Sequence, residues 1–326
     1  AAAAMMPTMI EPASPSSKTP VQLVTVDDNH DGQRIDNFLF GQLKGVPRTL
    51  VYRILRKGEV RVNKGRAKPE HKLAAGDVVR IPPLHIPEPD APAKASGNLL
   101  EVLESRILFE DQYLIAINKP AGLAVHGGSG IRLGLIEALR QMRPKEKMLE
   151  LVHRLDRDTS GCMLIAKRRS ALTALHEDLR AGRVDKRYLA LVYGRWPARI
   201  KDVKVSLLKN EVASVVRVSD AGKSAHTGFT IKQQFTDYTL LEVKPYTGRT
   251  HQIRVHAKHA GHSLVCDEKY SDAEKNAVAK TQGFKRLCLH AASLVFTHPI
   301  SQEKLHITAE LPEDIAVPLQ KLETKN

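Results

Sequence analysis

Apolar positions along the chain fall into two registers. In the segment from residue 34, Ile35, Phe38, Leu39 and Leu43 recur every three or four residues, which predicts a helix with one buried face. Pro47 suits the start of a second helix whose apolar positions are Leu50, Val51, Ile54 and Leu55, and Gly58 ends it. "EVRVN" then alternates as a strand does, and "LAAGDVVRIPP" adds a turn and another strand. Beyond residue 99 the pattern turns strand-like, in "RILFEDQYLIAINKP", "CMLIAK", "RYLALVYGRW", "YTLLEVKP", "LCLHAASLVF" and "KLHITAEL". Helical spacing there is confined to "GLIEALRQM", "SALTALHEDLRAG" and "HQIRVHAKHAG". Few regular strand–helix–strand units occur, so the expected fold class is α+β with a mixed, mainly antiparallel sheet.

Breaks in this patterning set the expected organisation. Residues 1–20, rich in Pro, Ser and Ala, read as a disordered tail. They lack the basic start and continuous apolar core of a signal peptide. Residues 21–83 form a small unit. Residues 84–98 read as a linker, extended and semi-rigid, because five prolines fall between positions 82 and 92. One larger domain covers 99–320, and 321–326 is a short tail.

Charge sharpens this picture. The 326 residues carry a formal net charge of +14. A field of that sign favours a polyanion, with nucleic acid ahead of an anionic membrane. No apolar run approaches the roughly 18 residues of a membrane span. Between residues 31 and 83 twelve Lys and Arg face five Asp and Glu, so half the net charge sits in about a sixth of the chain. Arg48, Arg53, Arg56, Lys57, Arg61 and Lys64 crowd the second helix and the following strand, as a phosphate-gripping surface would. Cys162, Cys266 and Cys288 fit neither a disulfide framework nor zinc spacing, so they read as apolar filling in a cytoplasmic protein.

Four motifs carry candidate chemistry. In "LVHRLDRDTSGCMLIAK" two arginines, a histidine and two aspartates are clamped between apolar runs. If "CMLIAK" is a central strand, Asp156 stands on the loop entering it, where catalytic groups commonly lie. Asp158 is expected to bond the turn's amides. In "PYTGRTHQIRVHAKHAGH" a helix is expected to open near Thr250, its N-cap, with Arg249 and Arg254 gathered to meet an anion such as phosphate or Asp156. His251, His256, His259 and His262 lack helical zinc spacing, so no metal is expected. Tyr188 in "DKRYLALVYG" suits a strand, and "NKPAGLAVHGG" reads as a turn and a glycine-rich loop.

"NKPAGLAVH", "HRLDRDTSG", "DKRYLALVYG" and "GRTHQIRVH", in this order and spacing, resemble the RluA-type RNA pseudouridine synthases, and the motifs span residues 118 to 256. Residues 32 to 83 resemble the small RNA-binding domain of the S-four type of ribosomal protein. The resemblance implies a pseudouridine synthase fold across 99–320 and an isomerase needing no cofactor. That enzyme would break the N1–C1′ bond of a uridine, rotate the base and rejoin it through C5. It implies Asp156 as the essential carboxylate, whether it acts at C1′, at C6 or on a proton of C2′ or C5. Arg254 would pair with it and favour its charged form, and Tyr188 would stack on the target base. Arg154 would fill the gap left by a flipped nucleotide, and Lys119, Arg249 and Lys186 would hold phosphates. The implied partner is 23S ribosomal RNA or a pre-ribosomal particle; a monomer is the default expectation. Two rival classes follow from the same residues: a non-catalytic RNA-binding or ribosome-assembly factor, and a glycosidic hydrolase releasing free uracil.

Overall fold

In the small basic segment the apolar spacing closes two helices over a sheet. A computed structural model of the chain describes residues 19–43, 45–84, 93–128 and 131–322; the expected tail 1–20 and linker 84–98 fall largely outside them, as do residues 323–326. Two compact units result, Ala1–Pro92 and Ala93–Asn326. In the first, α1 (Ile35–Gln42) and α2 (Arg48–Arg56) lie with β1 (Gln22–Thr25), β2 (Arg61–Val62), β3 (Gly65–Arg66) and β4 (Val78–Ile81), the strands ordered β1-β4-β2-β3. Ile35, Phe38, Leu39, Leu43, Val51, Ile54 and Leu55 all enter its core, which leaves the polar faces of both helices to solvent. Asn63 and Lys64 both take positive φ (48° and 70°), the twist a two-residue hairpin requires, and this confines "EVRVN" to a two-residue strand.

The second unit runs α3 (Gly97–Ser105), β5 (Ile107–Glu110), β6 (Leu114–Lys119), α4 (Leu135–Met142), β7 (Glu150–Leu151), β8 (Ser160–Ala166), α5 (Arg169–Arg180) and β9 (Asp185–Tyr193). It continues with β10 (Asp202–Val203), β11 (Leu207–Asn210), β12 (Val215–Val218), β13 (Thr227–Gln234), β14 (Tyr238–Pro245), α6 (Gln252–His259) and α7 (Ala273–Thr281). It closes with β15 (Leu289–Thr297), β16 (Lys304–Thr308) and α8 (Glu313–Gln320). Ten strands form one sheet ordered β10-β13-β14-β9-β15-β8-β6-β5, with β7 added to β8 and β16 to β15. Every pairing in it is antiparallel except β8 with β15. The fold class is thus the expected α+β with a mixed, mainly antiparallel sheet.

That single parallel pairing positions the site. Because β8 and β15 start side by side, Ser160 opposite His290, the segments entering both strands meet at one edge of the sheet. Their close approach depends on Gly161: its φ is +119°, and a Cβ there would stand 2.6 Å from the Ala291 nitrogen. Only glycine fits. Apolar side chains fill both faces, Ile115, Ile117, Met163 and Ile165 on one and Leu114, Cys162 and Leu164 on the other. All three cysteines are free and buried. Helices α3, α7 and α8, strand β13 and the β11–β12 hairpin are additions to the elements expected from sequence. Helix α3 opens inside the segment read as linker, where the Ser96 side chain accepts the Leu99 N–H as an N-cap.

Candidate active site

The loop from His153 to Thr159 enters β8 in a conformation fixed mostly by other parts of the chain. The Asp156 carbonyl accepts the Thr159 N–H at 3.1 Å, closing a turn that turns the Asp156 side chain outward while Leu155 drops into the core. Lys119, at the end of β6, donates to the carbonyls of Pro120, Leu123 and Arg157 at 2.8–2.9 Å. Arg286, just before β15, donates to the Asp158 and Leu289 carbonyls and to Ser160 Oγ. His153 accepts the Leu164 N–H at 3.1 Å, and burial, with Lys186 second, pushes its ring down to about 3, so it serves as a neutral acceptor.

Two expectations are corrected here. Lys119 holds no phosphate: its amine is fully buried and committed to main-chain oxygens. Asp158 does not bond the turn's amides; it pairs with Arg157 at 3.1 Å in a half-exposed position, because the turn's own main-chain bond already closes it.

Asp156 meets Arg254 of α6. The Nη1 of Arg254 donates to Asp156 Oδ2 at 3.1 Å, while Nε and Nη2 bind the fully buried carboxylate of Asp267 at 2.8 and 2.9 Å. The bidentate clamp from Asp267 fixes the guanidinium plane and leaves one nitrogen for Asp156. Tyr270 lies beneath, its ring centroid 5.0 Å from the guanidinium carbon. His251 stands on the other side, Nε2 3.9 Å from Asp156 Oδ1 and Nδ1 2.6 Å from the Tyr270 hydroxyl, which accepts the Val216 N–H. Burial lowers the imidazole's pKa, against the opposing pull of Asp156.

His251 also corrects the expected helix start. Helix α6 begins at Gln252, and His251 precedes it in the left-handed region (φ 53°), a conformation that costs a non-glycine residue on the order of 1 kcal/mol or more. Thr250 caps nothing, since the buried Gln252 side chain takes over: its Oε1 accepts from the Arg249 N–H and Thr247 Oγ1, and its Nε2 donates to the His226 carbonyl. Of the other histidines in that run, His256 bonds Thr227 Oγ1 and the Val205 carbonyl, and His262 bonds the Tyr193 carbonyl.

These groups surround a cavity of about 700 Å³. Arg154, Asp156, Lys186, Tyr188, Arg249 and Arg254 all line it, although they come from three separate stretches of sequence. Tyr188, on β9, rests against both neighbouring cores, and burial raises its phenol pKa with Asp156 adding to the effect, so it is un-ionised. Arg154 and Arg249 are exposed, while burial lowers the pKa of the Lys186 amine. The arrangement offers a carboxylate held by one guanidinium, a flat ring beside it and cations at the mouth.

Asp267, Tyr270 and Arg286 complete the arrangement and stand outside the four motifs, whereas His251 belongs to the motif that also holds Arg249 and Arg254. Arg254 and Asp267 are 13 residues apart and the loop and Arg286 about 128, so no local periodicity signals either contact.

A family model described as RNA pseudouridylate synthase matches residues 113–259, and one described as S4 domain matches residues 33–79. A ribosomal large subunit pseudouridine synthase C from Haemophilus influenzae is 54% identical over 93% of this chain and 95% of its own length. The protein of the same name from Escherichia coli K12 is 51% identical over 94% and 98%. Among solved structures, human RNA pseudouridylate synthase domain containing 4 superposes with a TM-score of 0.59 at 27% identity, covering 70% of this chain and 98% of that one.

Proposed function

The chain belongs to the RluA-type family of RNA pseudouridine synthases, an isomerase family, and from that premise we propose that it converts specific uridines of large-subunit ribosomal RNA, using Asp156 as the essential carboxylate. The observation that carries this reading is the convergence of Asp156, Arg254, Tyr188 and Arg154 on one cavity large enough for a nucleoside. A uridine in stacked RNA cannot reach Asp156, so the nucleotide swings out of its stack into the cavity. Tyr188 receives the face of the base, and Arg154, exposed at the rim, takes the place vacated in the RNA. Arg249 and Lys186 meet the phosphates on either side. Arg254, immobilised by Asp267, holds the Asp156 carboxylate toward the sugar and base while the N1–C1′ bond breaks and C5 is brought to C1′. The bond change is internal to the nucleoside: C5 gives up its proton once it is bonded to C1′, and N1, freed from C1′, takes up a proton from solvent, so the product is an isomer of uridine. Lys119, set behind the loop, acts on the loop backbone and not on RNA.

Chemical mapping of pseudouridine in ribosomal and transfer RNA from cells lacking the protein tests the reading. Sites disappear from the large-subunit RNA, wild-type protein restores them, and Asp156→Asn binds RNA yet restores none, a loss of at least about 10³-fold in rate. Restoration by that variant, or release of free uracil by the wild type, would remove Asp156 from this role.

A further inference from the structure

Beside the cavity that holds Asp156 lies a second of about 410 Å³, and Lys244 and Tyr246 line both. Tyr246 follows β14 directly and is 51% exposed, unlike the other rings of this second cavity, Trp196 and Phe229, which are buried. Its orientation is nonetheless fixed. The Tyr246 N–H donates to the His226 carbonyl, continuing the β13–β14 ladder by one residue, and the two rings stack with centroids 4.1 Å apart and planes within 10°. His226 is held in turn by Asp202, whose Oδ1 lies 2.6 Å from Nε2. The phenol ring lies over Gly228, where a Cβ would stand 3.2 Å from Tyr246 Cε2. Lys244 Nζ lies over the ring, 4.9 Å from its centroid, and 3.7 Å from Asp185 Oδ1.

An exposed ring held flat by a second ring, with a flexible lysine over it, is equipped to grip single-stranded nucleic acid: the lysine swings from the ring to a phosphate and the base stacks in its place. We propose that Tyr246, backed by His226, is a stacking platform for the base of a nucleotide neighbouring the target uridine, and that the second cavity receives that nucleotide. The proposal rests on reading the first cavity as the uridine site, because the shared residues Lys244 and Tyr246 make the two cavities consecutive stations on one strand. Stacking reads a base's face and not its edge, so the platform fixes the register of the strand without demanding one sequence.

The test is a double-mutant cycle on the full-length protein. The probes are a short oligoribonucleotide with one central uridine and versions with an abasic site at each flanking position in turn. Tyr246→Ala weakens binding of the intact oligonucleotide about tenfold, and Tyr246→Phe leaves it unchanged. At one flanking position alone, the abasic probe binds about tenfold more weakly to wild type and Tyr246→Ala adds no further loss. The emission of Trp196, the sole tryptophan, changes with every probe except that one. Unaltered circular dichroism and thermal midpoint exclude misfolding of Tyr246→Ala. An equal loss on every abasic probe, or no loss on the intact one, overturns the platform. Because Asp156→Asn abolishes chemistry but not this cycle, a cycle that closes while Asp156→Asn stays active would sink the catalytic reading alone. Failure of the wild type to bind the intact probe sinks both.

Discussion

Lys119 spends its hydrogen bonds on three main-chain carbonyls, and burial, with Arg286 second, lowers its amine from the usual 10.5 to about 7. Between those values the unfolded chain binds the proton and the folded chain largely does not, the neutral amine then keeping two N–H donors to share among the three carbonyls. Stability contributed by this residue therefore rises with pH from about 7 to about 10.5. Lys119→Met leaves the three carbonyls unsatisfied, costing about 2 kcal/mol at neutral pH, and removes that rise. Urea midpoints of wild type and variant at pH 7 and pH 9 check both; a gap that does not widen at pH 9 refutes the assignment. The sequence shows that a lysine stands in the motif but not which way it faces, and only the fold turns it from phosphate to main-chain oxygens. Asp156, Arg254, Tyr188 and Arg154 were legible because each lies in a dense motif. Asp267 was not, since its partner Arg254 is joined to it only by the fold.

At the scale of elements, the join of β8 and β15 is the one most exposed to a single substitution. Gly161→Ala puts a methyl group against the Ala291 main chain and a side chain on a φ of +119°. Both strands must part, at a cost of at least about 3 kcal/mol, and the loop that bears Asp156 loses its seat. The expected result is a large drop in thermal midpoint together with lost pseudouridine formation; an unchanged midpoint would show that the strands are not so tightly joined. The alternating strands were readable because one or both faces are buried. Strand β13 has no such signature because, after Thr227 and Phe229, its side chains are exposed or half-buried and no apolar alternation survives. Helices α7 and α8 carried usable signs, Asp272 as an N-cap and Glu313 and Asp314 in a first turn, yet their apolar stripes are thin.

For the whole molecule, the distribution of charge matters more than its sum of +14. In the larger unit many cations are already engaged, as in Arg143 with Glu104 and Glu110, Lys167 with Glu110 and Glu146, and Arg187 with Asp185. In the small unit Arg53, Arg56, Lys57 and Lys64 are exposed, and none of them forms an ion pair among the described residues. They are free for phosphate. Replacing Arg53 and Arg56 by Gln should lower the slope of log affinity against log salt by about 1.5 without altering the turnover of bound RNA; an unchanged slope would take α2 out of contact with RNA. The parallel strand pairing also sets a timetable for synthesis. Ser160, at the mouth of the loop bearing Asp156, is joined to His290, 130 residues later. At elongation rates of about 5–20 residues per second that interval lasts roughly ten seconds. A growing chain thus carries the segment bearing Asp156 out of the ribosome long before its strand partner exists, and the cavity stays unfinished until the closing strand emerges.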